Sequence, residues 1–247
     1  HNYDKGLATG TVAASGTLGS LIPPSVLLVL YGVYAQVSVG QLFMAGFIPG
    51  VLSALLYIAM IMVRTKLNPS LAGNTDVRSS WDEKWDAFKH IWPLPLLIGS
   101  VLGGIFLGVF SPTEAGAVGT SIAALVALAR RTLTFSAIRE ALIRTAVSTA
   151  SIFIILIGSL FFTRFLAMSG VPAAFSEIIL GVSTETWWII LAVAVIYLVL
   201  GMFIDSIGLL LLTLPLILPL VEGADLNLIW FGIIVVKLLE VGLVTPP

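Results

Sequence analysis

These 247 residues predict an all-α polytopic membrane protein, an inverted repeat with discontinuous helices and a re-entrant helical hairpin. Three observations carry that prediction. The chain is 58% hydrophobic and only 10% charged, where a soluble domain carries about 25% charge. No charged residue occurs between Gly6 and Val63, a run too long for one crossing of roughly 20 residues. Two stretches, Gly16–Ser25 and Gly242–Pro247, each place a glycine shortly before a Pro-Pro pair. Prolines remove backbone donors and glycines weaken helices. Broken backbone at membrane depth persists only where protein buries it or a water-filled cavity lies beside it.

The same composition excludes several classes. A net charge of −1 leaves no basic footprint for nucleic acid. The absence of cysteine rules out disulfides and thiolate metal sites. An intramembrane enzyme needs a convergent pair such as Ser–His or two membrane aspartates. Asp205 is the only mid-span aspartate, and neither histidine lies mid-span. No nucleotide-binding loop occurs, which suits a gradient-driven rather than an ATP-driven machine. The chain opens on His1 and stops within a motif, so it reads as a fragment lacking helices at both ends.

Taken in order, residues 1–63 read as the end of a first repeat. A broken helix covers 6–35 and a span covers 42–63. Residues 64–90 mix acids and bases with turn residues and read as a cytoplasmic loop. Residues 91–247 read as a second repeat, with spans at 91–110 and 112–129. Ser111-Pro112-Thr113-Glu114 matches a capped helix start, with Ser as cap, Pro at the first position and Glu closing a capping box. Basic residues in 64–89 and 130–144 put both ends of this pair in the cytoplasm. Residues 133–146 read as an amphipathic interfacial helix, with Phe135, Ile138 and Leu142 at helical spacing. A span at 147–166 follows, and 173–180 reads as a short link. At 183–221, two uncharged legs flank Asp205 and suggest a re-entrant hairpin turning near mid-membrane, with Trp187 and Trp188 as interfacial anchors. Residues 226–247 read as a truncated half-helix entering the second broken motif.

The first broken motif is approached from the cytoplasmic boundary at Lys5, the second from the outside after Glu222 and Asp225. Equivalent motifs entered from opposite sides mark inverted repeats with a midplane site. Tyr3-Asp4-Lys5-Gly6, Gly16-Thr17-Leu18-Gly19, Ile22-Pro23-Pro24-Ser25, Gly46-Phe47-Ile48-Pro49-Gly50, Ser111-Pro112-Thr113-Glu114-Ala115, Gly201-Met202 and Gly242-Leu243-Val244-Thr245-Pro246-Pro247 carry a closer likeness. In that order they resemble the large membrane subunit of tripartite ATP-independent periplasmic (TRAP) transporters. The resemblance implies an elevator-type importer in the bacterial cytoplasmic (inner) membrane. It would be driven by sodium, fed by a periplasmic substrate-binding protein and accompanied by a small membrane subunit. Its substrate would be an organic acid such as a C4-dicarboxylate or a sugar acid. It also implies a first hairpin ahead of Tyr3. The alternative is a related sodium/anion symporter acting without a binding protein.

Within that frame Asp205 is the sharpest candidate, since a carboxylate in an apolar segment is costly and faces a cavity or a partner. It is expected to bind sodium at the hairpin tip with Ser206 beside it, and it also suits an N-cap for the following helix. Carbonyls around Ser15, Gly16, Thr17 and Gly19 are expected to bind one cation, and Gly242 and Thr245 to join Asp205 at another. Pro23, Pro24, Pro246 and Pro247 free those carbonyls, and Ser25 offers a hydroxyl beside the break. Arg164 suits a substrate carboxylate because a guanidinium grips it with two donors; it equally suits snorkelling at a span end. Glu240 is a further candidate for substrate, or a partner for Lys237 three residues away. No cofactor is expected, and sodium is the only metal.

Overall fold

The computed structural model describes residues 3–72 and 80–245, with Ala87 described by its backbone alone. All regular structure among them is helical. The chain forms two compact units, His1–Pro24 with Phe47–Thr134 and Ser25–Gly46 with Phe135–Pro247.

The first unit begins with α1 (Lys5–Thr17), capped by Asp4, whose carboxylate accepts from the Leu7 N–H at 2.8 Å. A 3-10 turn, Leu18–Ser20, follows and the chain then unwinds. The Pro23–Pro24 bond is cis. Ile22 lies against Gly50 of α3 (Val39–Leu67), so close that a Cβ there would sit 2.8 Å from Ile22 Cγ1. After α3 a 3-10 turn, Pro69–Ala72, ties back to the start of α1 through the Asp4 N–H donating to the Leu71 carbonyl at 3.1 Å. Then come α4 (Trp81–Ile91), α5 (Pro93–Phe106) and α6 (Pro112–Ala129). α5 and α6 pack as a hairpin. The Phe110 ring covers Gly104, and Val101, Leu102 and Ala115 are buried. The turn between them ends in a complete capping box, with Glu114 accepting from the Ser111 N–H at 2.7 Å.

The second unit holds α2 (Val26–Tyr34), the first turns of α3, and α7 (Phe135–Ser169), α8 (Val171–Val182), α9 (Thr186–Gly201), α10 (Ser206–Gly223) and α11 (Leu228–Val244). α10 is its axis, touching α2, α7, α8, α9 and α11. Leu209, Leu210, Leu211, Leu214, Ile217 and Leu220 are all buried. Polar side chains pin its neighbours. Tyr31 on α2 donates to the Leu228 carbonyl at 2.7 Å and its ring lies on Gly232 of α11. Tyr34 bonds Thr163 of α7 at 2.6 Å, and Tyr197 of α9 bonds Thr213 of α10 at 2.6 Å.

α10 carries Pro215 in its interior. A proline donates no N–H to the carbonyl four residues back, which here is Leu211. The Ser159 hydroxyl on α7 donates to that carbonyl at 2.6 Å. The helix break is thus satisfied by a neighbour, the way prolines are tolerated at membrane depth.

Several expectations need correction. The segment 64–90 is not simply a loop, because α4 occupies its second half. Ser80 caps α4 and Glu83 completes a capping box, a signal that the surrounding charges obscured. The span expected at 91–110 is a helix only over Pro93–Phe106. The link at 173–180 lies within α8. Residues 133–146 and 147–166 are not separate elements: α7 runs unbroken from Phe135 to Ser169. A change of direction there needs a proline, a glycine or an inserted group, and between Arg139 and Ser151 the chain has neither proline nor glycine. The Arg144–Glu140 ion pair at 2.6 Å decorates its first turns.

Four helices, α3, α6, α7 and α10, are long and apolar enough to cross a membrane among the described residues. α4 and α5 meet at a 49° bend and together meet the same measure.

Candidate functional site

The turn between α9 and α10 holds the strongest constellation. The Leu200 carbonyl accepts from the N–H groups of Phe203 and Ile204, both at 3.0 Å, which ends α9 tightly. Asp205 then caps α10. Its Oδ2 accepts from the Ile207 N–H at 3.1 Å and the Gly208 N–H at 3.0 Å. A Cβ at residue 208 would lie 2.9 Å from Asp205 Oδ1, so glycine there leaves room for the carboxylate. Oδ1 makes no hydrogen bond among the described residues. Asp205 is exposed, whereas the Ser206 hydroxyl beside it is buried without a hydrogen-bond partner.

The legs fold back on each other, since Tyr197 and Thr213 lie equally far from Asp205 on either side and bond across the gap. α11 joins the same end. A Cβ on Gly201 would lie 3.0 Å from Gly242 Cα, and a Cβ on Gly242 would lie 3.0 Å from the Tyr197 carbonyl oxygen. The ends of α9 and α11 therefore touch backbone to backbone, where the turn bearing Asp205 begins. Helix C-termini carry partial negative charge, and two of them converge here beside a carboxylate. A narrow apolar cleft runs alongside, lined by Ser159 and Phe162 of α7, Ile204 of the turn, and Gly208 and Leu211 of α10.

The remaining residues of this end fall as follows. Thr245 is extended and caps α11. Its hydroxyl donates to the Val241 carbonyl at 2.8 Å, and its N–H reaches the Val241 and Gly242 carbonyls at 3.1 and 3.2 Å. Pro246 and Pro247 lie outside the described residues. Glu240 is fully buried and accepts from Lys237 Nζ at 3.0 Å. Arg164 is exposed on α7, in an apolar groove with Phe161, Leu160 and Ile157, and makes no hydrogen bond or ion pair among the described residues. Among the described residues no hydrogen bond or ion pair joins it to the Asp205 turn.

The other broken motif belongs to the first unit. Ser15, Gly16 and Thr17 remain helical, and Gly19 sits in the 3-10 turn. The Ser15 and Thr17 hydroxyls donate to the Val12 and Ala14 carbonyls at 3.0 and 2.9 Å. The Leu18 carbonyl takes the N–H groups of Leu21 and Ile22, both at 3.1 Å. Pro23 and Pro24 have no N–H to return to Gly19 and Ser20. The unwound backbone thus starts later than Ser15. No neighbour stands within 4 Å of a Cβ built at Gly16 or Gly19, so both border open space. Ser25 is buried and caps α2, accepting from the Leu28 N–H at 3.3 Å.

Sequence reasoning missed the Gly201–Gly242 contact and the Ser159–Leu211 bond. The i−4 spacing of Leu211 and Pro215 marks the carbonyl in need, but nothing local marks its donor.

Helices long and apolar enough to cross a membrane, a helical hairpin closed by an aspartate cap and a helix broken at Pro23-Pro24 fit a membrane transport permease. The family model for the DctM component of the tripartite ATP-independent periplasmic transporter matches residues 1–247, and the chain belongs to that family. It is 33% identical over 250 residues to the C4-dicarboxylate TRAP transporter large permease protein DctM of Pseudomonas aeruginosa, covering 99% of this chain and 57% of that protein. It is 33% identical over 246 residues to the sialic acid TRAP transporter large permease protein SiaM of Vibrio cholerae, covering 99% and 57%. The isethionate TRAP transporter permease protein DctMQ of Oleidesulfovibrio alaskensis is 30% identical over 252 residues, covering 99% and 38%. The chain thus spans little more than half of the two large permeases. These relatives are permeases rather than enzymes, and the protein is integral to the bacterial inner membrane.

Proposed function

We propose that the protein containing this chain imports an organic acid by sodium-coupled secondary transport, by an elevator alternating-access motion. The relatives are named for a C4-dicarboxylate, sialic acid and isethionate, all organic acids. The convergence at Gly201 and Gly242 carries the reading. Two helix C-termini and the exposed Asp205 carboxylate gather oxygen atoms at one end of the second unit. That charge pattern favours a cation, and oxygen-only donors suit a hard one. Among the described residues no group of three or more His, Cys, Asp or Glu comes together. A weakly held alkali ion fits that setting better than a tightly chelated divalent one.

Asp205 with Ser206, Gly242 and Thr245 would hold one sodium ion. Backbone around Ser15, Gly16, Thr17 and Gly19 would hold another. Arg164 would meet a substrate carboxylate if that face of α7 turns to the transport path. Glu240 would act through Lys237 and the position of the last turn of α11. A periplasmic binding protein would deliver the substrate, and a small membrane subunit would flank this one. The α9–α10 hairpin would be re-entrant, with its turn inside the membrane.

Uptake by the full-length protein with its partners, reconstituted in proteoliposomes, tests this. Uptake should need sodium and should vanish without the binding protein. Asp205→Ala should flatten the sodium dependence, whereas equally steep sodium dependence in that variant would overturn the assignment. Uptake that persists without a binding protein would favour a simpler symporter.

A further inference from the structure

Among the described residues α4 packs chiefly at its junction with α5, and its two faces differ sharply. At 3.6 residues per turn, Trp81, Trp85, Phe88 and Trp92 fall on one stripe. All four are exposed, Trp81 at 84% and Trp85 at 62%. Lys84 and Lys89 flank the stripe on either side. Lys84 Nζ leans over the Trp81 ring, 4.9 Å from its centroid. Glu83, Asp86 and His90 occupy the opposite face, and Asp82 sits beside Lys89 at the edge. Aromatics in the middle, lysines at the edges and carboxylates behind is the order a helix needs when it lies in a bilayer interface. Trp prefers that depth, Lys reaches phosphate from its rim, and acids stay in water.

Two contacts hold α4 at such a depth. Its C-terminal end runs through a 49° bend into α5, and the two together are apolar enough to cross a membrane. Arg130 Nη2 at the end of α6, itself long and apolar enough to cross, donates to the His90 carbonyl at 2.8 Å. The end of α4 is thus fixed at the level where α6 stops. From that anchor the helix departs from the line of α5.

We propose that α4 is an interfacial helix whose Trp81–Trp85–Phe88–Trp92 stripe is covered by lipid, with Lys84 and Lys89 on the headgroup phosphates. It acts as a float beside the α5–α6 hairpin and fixes how deep the first unit sits.

Single cysteines test the orientation in the full-length protein, in a background free of other reactive cysteines. Trp85→Cys and Phe88→Cys probe the stripe, and Asp86→Cys and His90→Cys probe the back. Each carries an environment-sensitive fluorophore and is reconstituted in phosphatidylcholine vesicles. At 85 and 88, emission should be lost to doxyl-labelled lipid and spared by aqueous iodide, with a depth of roughly 5–10 Å below the headgroup boundary. At 86 and 90 the pattern should reverse. If Trp85→Cys does not fold, Phe88→Cys reads the same face. Iodide quenching at 85 and 88 equal to that at 86 and 90 would overturn the proposal. Shielding of 85 and 88 from both quenchers would overturn it too, in favour of a protein partner.

Discussion

Asp205 does two jobs that one substitution can separate. As an N-cap it satisfies two orphan N–H groups at 3.0–3.1 Å. Asn caps nearly as well as Asp, and Ala loses about 0.5–2 kcal/mol. Asp205→Asn should therefore keep the thermal stability of the permease and lose the sodium dependence of uptake. A thermal melt and a sodium titration read the two effects independently, and Asn with unchanged sodium dependence would reduce Asp205 to a cap. Ser159 offers a second residue-scale test. Ser159→Ala leaves the buried Leu211 carbonyl without its 2.6 Å donor, which costs about 1–3 kcal/mol. Adding Pro215→Ala restores an N–H to that carbonyl and should recover much of the loss. Additive or worse stability in the double variant would refute the link between the serine and the proline. Of these features, the aspartate was legible in the sequence, because a lone carboxylate among Met202, Phe203, Ile204 and Ile207 is conspicuous. The Lys237–Glu240 pair was legible from its spacing as well. Ser159 was not: it pairs with a carbonyl 52 positions away, and serine on an apolar helix has many uses.

At the scale of elements, the glycine contact between α9 and α11 makes a sharp prediction. Overpacking of this kind costs about 1–3 kcal/mol. Gly201→Ala and Gly242→Ala should each lower the melting temperature, and together they should lower it by less than their sum, because either one already separates the backbones. A fully additive double variant would place the two glycines in separate environments. α7 and α4 explain where sequence reading stopped. The amphipathic start of α7 suggested an element of its own, yet amphipathicity reports the surroundings of a helix, not its ends; ends come from caps, glycine and proline. For α4 the cap was written in Ser80-Trp81-Asp82-Glu83. Counting charge across 64–90 averaged it away.

For the whole molecule, the depth of the α9–α10 turn decides what the hairpin is. The folded-back legs put Glu185 and Glu222 at the same end, whether the hairpin is re-entrant or two full crossings. Depth separates the two. A cysteine-reactive probe at Phe203→Cys should be slow to react with impermeant reagent from the face opposite Glu185 if the turn stops inside the membrane. Rapid reaction from that face would make the legs full spans. The division into two units was only partly visible in the sequence. Pro23-Pro24 marks one boundary because paired prolines interrupt the helix. A second passes through α3 at Gly46–Phe47, about two turns from its start, where helix continuity hides it, and a third falls at Thr134–Phe135 between α6 and α7.

The Gly201–Gly242 contact also bears on how force passes through the second unit. No side chain stands between the two backbones to act as a bearing, and Tyr197, one turn before Gly201, bonds Thr213 and so ties α9 to α10 as well. α9, α10 and α11 are thereby yoked like the legs of a tripod. Any stroke that displaces the tip of the hairpin must carry the end of α11 with it. A short covalent tether between α9 and α11 would for that reason leave turnover intact.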